Sequence, residues 1–279
     1  MHERDEHEGG HRAVPTRDAL GGDATAPAAG EGAFTASPAD IVDQSVELTE
    51  EARAEDRRSF DALGRTWDLL PGVFSPALTS STEFYTRCLP FPRAGSFLEI
   101  GCGAGVTSVQ AALSGCAEVT AVDIGPAAVE NTTLNARRHG APQVRALVGD
   151  VFDAVPVGGY DLVFWAIPYV ALPEDDEYPS DLSRSVFDIG YQCCLAYLAG
   201  ARSVLAPGGR LFLGFGDMGY RAEMEAIATA HGWRPELVAA GRAAPDTHIE
   251  HQMFELHDTA RRTLTEGARG GAHGGGPRA

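Results

Sequence analysis

The chain predicts an α/β fold: a seven-stranded, mostly parallel sheet with an antiparallel last strand and helices on both faces. Three observations carry this. Short apolar runs alternate with helix-like segments from residue 96 onward, the pattern of βαβ units. A strand, Phe97-Leu98-Glu99-Ile100, runs directly into Gly101-Cys102-Gly103-Ala104-Gly105 and then into a helical pattern from Val106 to Leu113. Such glycine turns let backbone N–H groups approach a nucleotide-like ligand. Carboxylates then stand at the tips of successive strands.

Strands are expected at 96–100, 118–122, 143–148, 160–166, 210–215, 234–240 and 249–256, and helices at 105–115, 126–139, 182–205 and 219–231. Ala206-Pro207-Gly208-Gly209 breaks the chain before the fifth strand. Upstream, a charged helical segment is expected between about 41 and 64, with Thr49 as its N-cap. Trp67 to Phe74 reads as strand, Pro71-Gly72 turn and strand, and Thr79 to Leu89 as a helix, together lying across the mouth of the ligand pocket. This divides the chain into a disordered tail (1–40), a helical and hairpin cap (41–93), a catalytic domain (94–260) and a flexible tail (261–279).

The glycine spacing decides between ligands. A dinucleotide fingerprint has its third glycine three residues after the second, whereas Gly105 follows Gly103 by two. Glu-x-Gly-x-Gly-x-Gly resembles motif I of the Rossmann-like, class I S-adenosylmethionine (SAM) methyltransferases. Asp123 ends the second apolar run, twenty-two residues after Gly101, and Asp150 ends the third. The resemblance implies that Asp123 accepts from the ribose hydroxyls, that Asp150 accepts from the adenine amino group beside an apolar Val151, and that Glu99 holds the methionine ammonium. Gly101, Gly103, Gly105, Ile124 and Trp165 complete the implied cofactor set.

The fourth strand, Tyr160 to Trp165, aims at Ala166-Ile167-Pro168-Tyr169. This resembles the Asn/Asp-Pro-Pro-Tyr/Phe motif of enzymes that methylate planar nitrogens. With Leu70 to Pro76 it points to the "small domain" branch, which includes ribosomal-RNA guanine and release-factor glutamine methyltransferases. The likeness covers roughly 66–256. Pro168 and Tyr169 are then the expected catalytic residues, and Phe74, Ala166, Tyr169, Asp188 and His248 the expected substrate contacts. One departure stands out: Ala166 occupies the Asn/Asp position. An unpaired donor in a desolvated site costs ~1–3 kcal/mol, which argues against amide or exocyclic-amine acceptors unless a backbone carbonyl substitutes.

Composition bounds the rest. The 279 residues carry 22 basic and 39 acidic side chains, a formal charge of −17, which repels polyanions. The five cysteines lack CxxC spacing, so neither a metal site nor a disulfide framework is expected, and a cytoplasmic home is the simplest. No apolar segment is long enough to span a membrane. No GxSxG or HExxH supports a hydrolase. The run 174–177 reads as a solvated acidic loop or as a lid for a cationic substrate. The expected function is methyl transfer from SAM to a small molecule, with specialised metabolism as the setting and nucleic acid not a partner. The alternatives are N-methylation of an RNA base or a protein glutamine, a SAM-binding protein without catalysis, and a nicotinamide dehydrogenase. Oligomeric state is not legible.

Overall fold

The computed structural model describes residues 38–54, 58–156, 158–244 and 248–260. Most of the expected N-terminal tail and all of the C-terminal one lie outside them. Of the expected tail, residues 38–40 open helix α1 (Pro38–Ala54). Thr49, expected as an N-cap, is buried within α1, where its hydroxyl donates to the Val46 carbonyl at 2.8 Å.

The segment expected to remain helical up to residue 64 instead forms strand β1 (Ser59–Ala62), paired antiparallel with β2 (Arg65–Asp68). The turn falls at Leu63-Gly64, both at positive φ (52° and 71°). This is the two-residue geometry whose twist matches a hairpin, and it takes the place of the expected Pro71-Gly72 turn. The hairpin stands on helix α4 (Pro126–Arg138) through two buried asparagines one turn apart. Asn131 accepts from Leu70 N and donates to Asp68 O, both at 2.8 Å. Asn135 accepts from Asp68 N and donates to Asp68 O and to Ala104 O. A buried amide such as that of Asn135, with three satisfied bonds, specifies one arrangement. Helix α2 (Ser81–Cys88) follows.

The main sheet then begins. Strands β3 (Ser96–Ile100), β4 (Glu118–Asp123), β5 (Val144–Val148) and β6 (Tyr160–Ala166) are parallel, with helices α3 (Val106–Leu113) and α4 in the crossovers. The expected helix 182–205 does not form as one piece. It resolves into a 3-10 turn (Asp181–Ser185), strand β8 (Phe187–Ile189) paired parallel with β7 (Val170–Leu172), and helix α5 (Gln192–Gly200). Gly190 and Tyr191 both take positive φ (58° and 59°), which no continuous helix accommodates. Buried Phe187 and Val170 join the strands in a small core with Ile41, Val42 and Val46 of α1.

Strand β9 (Leu205–Gly216) runs parallel to β6, bulging at Ala206 to Gly209, the expected break. After α6 (Arg221–Ala230), strands β10 (Trp233–Gly241) and β11 (His251–Asp258) close the sheet, with β11 antiparallel between β9 and β10. The order is β10-β11-β9-β6-β3-β4-β5. Strand order reverses between β3 and β6, the switch point outside whose carboxyl ends ligands bind in open α/β sheets. No helix among the described residues is long and apolar enough to cross a membrane.

Candidate functional site

The glycine turn lies at that switch point. Gly101, Gly103 and Gly105 all hold positive φ (66°, 52° and 81°), conformations costly for residues with a Cβ. The three differ in what surrounds them. A Cβ on Gly101 would sit 2.6 Å from the Trp165 indole nitrogen, and one on Gly105 would sit 2.8 Å from the Thr132 Cα. A Cβ on Gly103 would meet nothing within 4 Å. Gly101 and Gly105 are thus packed against protein, while Gly103 faces open space.

Asp123 ties the turn together. Its carboxylate accepts from Gly103 N and Gly125 N, each at 2.9 Å. Burial pushes its pKa up, and the two amides oppose that shift. Two bonds leave about half the acceptor sites of a carboxylate for other donors, such as a pair of hydroxyls. Gly149 N donates to the Asp123 carbonyl at 3.0 Å, which draws the β5 tip, with exposed Asp150, toward the same mouth. Ile124 beside it is 49 % exposed, and Val151 is buried at a positive φ of 46°.

Glu99 lies deeper, on β3, 5 % exposed. Its carboxyl accepts from Ser108 of α3 at 2.5 Å. Desolvation raises its pKa to about 8, against the pull of the Ser108 and Thr107 hydrogen bonds. A buried acid of this kind is neutral until a cation reaches it. Together these features suit SAM: an acid for an ammonium, a carboxylate with spare acceptor sites for a diol, an open Gly103, and apolar Ile124 beside Asp150 at the rim.

Beyond the β6 tip lies a cavity of about 80 Å³. Phe74, Ala166 and Tyr169, expected as substrate contacts, all line it. Tyr169 also packs on Phe215, with ring centroids 5.5 Å apart. Three other expected residues stand apart from the lining. Pro168 is buried beside it. Asp188 accepts from Cys193 N (2.9 Å) and Cys194 N (3.1 Å) at the start of α5, and burial raises its pKa to about 6. His248 is exposed in the β10–β11 connection, and it is the next residue, Ile249, that reaches the cavity. The acidic run 174–177 is an exposed loop.

Sequence reasoning missed Ser45 and Leu48 of α1, Tyr85 of α2 and Met218, all of which line this cavity. Tyr85 is fixed by its hydroxyl donating to Phe215 O. No local signal marks these residues, because only tertiary packing brings them together. Trp165 and Ala166, adjacent on β6, separate the two compartments: the indole lies against Gly101, while Ala166 faces the cavity.

Replacing Gly103 by alanine separates binding from folding. The strained φ costs about 1 kcal/mol, with no clash in the protein. SAM affinity by calorimetry is expected to fall at least tenfold while the melting temperature drops only a few degrees. Equal affinity would remove Gly103 from the binding surface.

The methyltransferase small domain model matches residues 66–176. Over 71 residues the chain is 45 % identical to a ribosomal protein L11 methyltransferase of Dechloromonas aromatica, covering 25 % of this chain and 22 % of that one. Over 122 residues it is 33 % identical to a candidate protein N5-glutamine methyltransferase of Methanocaldococcus jannaschii, covering 44 % and 59 %. The matches thus span from about a fifth to three fifths of these relatives. The solved tRNA m1G37 methyltransferase of M. jannaschii superposes with a TM-score of 0.51 at 13 % identity, covering 73 % of this chain and 58 % of that one. The expected partners are corrected by these findings. The sequence relatives are named for protein acceptors and the solved neighbour for tRNA, so neither the small-molecule acceptor nor the exclusion of nucleic acid stands. Residues 66–176 thus match the methyltransferase small domain, and the chain shares the Rossmann-like α/β fold of the solved tRNA methyltransferase.

Proposed function

We propose that the protein transfers a methyl group from SAM to an uncharged nitrogen of a protein side chain, a glutamine amide being the leading case. The observation that carries this reading is the junction at the β6 tip, where a turn suited to a sulfonium donor abuts a small cavity carrying no charged group. Among the described residues, no carboxylate, histidine, lysine or arginine lines that cavity, so a cationic acceptor would find no counter-charge there. Support for a protein acceptor comes from the relatives matched by sequence, both named for protein substrates.

Within this reading Glu99 ionises to hold the ammonium, Asp123 accepts from the ribose hydroxyls, and Asp150 with Ile124 and Val151 receives the adenine. When bound, SAM supplies a methyl group activated by its positively charged sulfur. The chain's work is then mainly positional: Tyr169, Phe74 and Tyr85 surround the acceptor, fix its approach and exclude water. No side chain in the lining is a strong base, so the displaced proton passes to water once the new N–C bond has formed.

Incubation with methyl-labelled SAM and either total soluble protein freed of small molecules or total RNA tests the reading. Label is expected in protein, released as methylamine on acid hydrolysis if the acceptor is an amide. Label confined to RNA would replace the protein acceptor with a base nitrogen. Binding of SAM with no transfer to either fraction would overturn the enzymatic reading.

A further inference from the structure

The acceptor cavity poses a problem that residues 66–176 do not solve. Ala166 leaves it without the side-chain carbonyl that the matching motif offers a planar nitrogen, yet a buried N–H without an acceptor is costly. Most polar groups on the lining are already engaged. Thr79 and Ser81 bond to each other at 2.8 Å, and the Tyr85 hydroxyl is spent on Phe215 O.

Ser45 stands on a different element. It projects from the middle of α1, is 2 % exposed and lines the cavity. A serine inside a helix ordinarily points to water or bonds back to the preceding turn, as Thr49 does one turn later. A hydroxyl presented to the cavity can accept a donor from a bound group. Its helix is held in place independently: Ile41, Val42 and Val46 pack on the β7–β8 core next to Tyr169. The hydroxyl therefore faces the cavity from a fixed wall, opposite in chain origin to the β6 tip.

We propose that Ser45 is the acceptor-positioning residue of this protein, its hydroxyl oxygen accepting the N–H of an uncharged planar nitrogen in place of the group missing at Ala166. The inference rests on the reading of the cavity as the acceptor pocket. Helix α1 thereby becomes part of the acceptor site although it lies outside the segment that matches the methyltransferase small domain. In the reaction the nitrogen gains the methyl carbon as the S–CH3 bond breaks and the electron pair returns to sulfur. One N–H proton is released to water, while the second N–H of a primary amide keeps its bond to Ser45.

Three variants of the full chain test this, read by the initial rate of label transfer to total soluble protein and by SAM affinity from calorimetry. Leu48→Trp fills the cavity from the partly exposed side of the same helix and tests the pocket itself. Ser45→Ala removes the acceptor, and Ser45→Thr restores it. The expected result is unchanged SAM affinity throughout, transfer abolished by Leu48→Trp, lowered roughly tenfold by Ser45→Ala, and largely recovered in Ser45→Thr. A wild-type rate in Ser45→Ala alongside abolished transfer in Leu48→Trp would overturn the role of Ser45 and leave the pocket intact. A wild-type rate in Leu48→Trp would overturn both. Label appearing in lysine or arginine side chains would also overturn it, since neither acceptor is uncharged and planar.

Discussion

Gly105→Ala is expected to lose about 3 kcal/mol of stability and nearly all SAM binding. Gly105 sits at the N-cap of α3 with φ at 81°, and an alanine there meets a conformational penalty of about 1–2 kcal/mol. The added Cβ would also lie 2.8 Å from the Thr132 Cα and 2.9 Å from its Cγ2. A backbone atom cannot swing aside as a long side chain would, so α4 must move, and with it the asparagines that seat the hairpin. Overpacking of this kind adds about 1–3 kcal/mol. A melting temperature lower by roughly 5–10 °C follows for a domain of this size. Thermal denaturation and calorimetry check both parts. A variant with wild-type stability would mean that α3 and α4 part more readily than their packing suggests. Gly103→Ala, with similar strain and no clash, is the matched control.

The second large effect concerns Glu99. Its pKa of about 8 in the folded chain lies above the ordinary value of 4.5. Folding is therefore favoured by this group fully below about pH 4.5, and the advantage is lost as pH rises toward 8 and beyond. The full swing approaches 5 kcal/mol. Glu99→Gln cannot titrate, so the difference in unfolding free energy between the two proteins should change steadily over that window in favour of the variant. Comparing the two removes the contributions of Asp123 and Asp188, which are shifted in the same direction. Binding follows from the same chemistry. An ammonium engages the ionised form, so SAM binding at pH 6–7 is expected to release close to one proton, and at pH 9 almost none. Calorimetry in buffers of different ionisation enthalpy reads this directly. Glu99→Gln should bind more than tenfold weaker, since a charge-assisted bond is worth about 1.5–3 kcal/mol, and release no proton. Proton release that persists in the variant would move the role to another acid.

The glycine turn and the acidic strand tips were legible because their logic is local. Gly101, Gly103 and Gly105 announce positive φ values, and Asp123 and Asp150 follow strands whose apolar runs are short and clear. Misreadings arose where tertiary pairing outweighed local pattern. Phe187-Asp188-Ile189 alternates apolar and polar as a strand does, but sits inside a longer segment read as one helix; it pairs with β7, which buries Phe187 under α1 and leaves Asp188 to cap α5. Leu63 carries no turn signal of its own, so the hairpin had to be found through Gly64 rather than through the stronger-looking Pro71-Gly72. The cavity beside the β6 tip was legible only through Phe74, Ala166 and Tyr169. Its other walls come from α1, α2 and the ends of β9 and β10–β11, segments whose approach no spacing encodes. Asn131 and Asn135, one turn apart on a face that should be apolar, were a readable hint of a buried polar clamp.

Strand β6 also acts as a ruler. Trp165 pairs with Ile100 of β3 on one side and Leu213 of β9 on the other, and Ala166 pairs with Gly214. Because successive residues of a strand point to opposite faces, a slip by one position would exchange the wall of one chamber for the wall of the other. Two ladders must break before such a slip can occur. The spacing between the glycine turn and the cavity is thus set by the hydrogen-bonded register of a central strand, and stays fixed however the loops around the mouth rearrange.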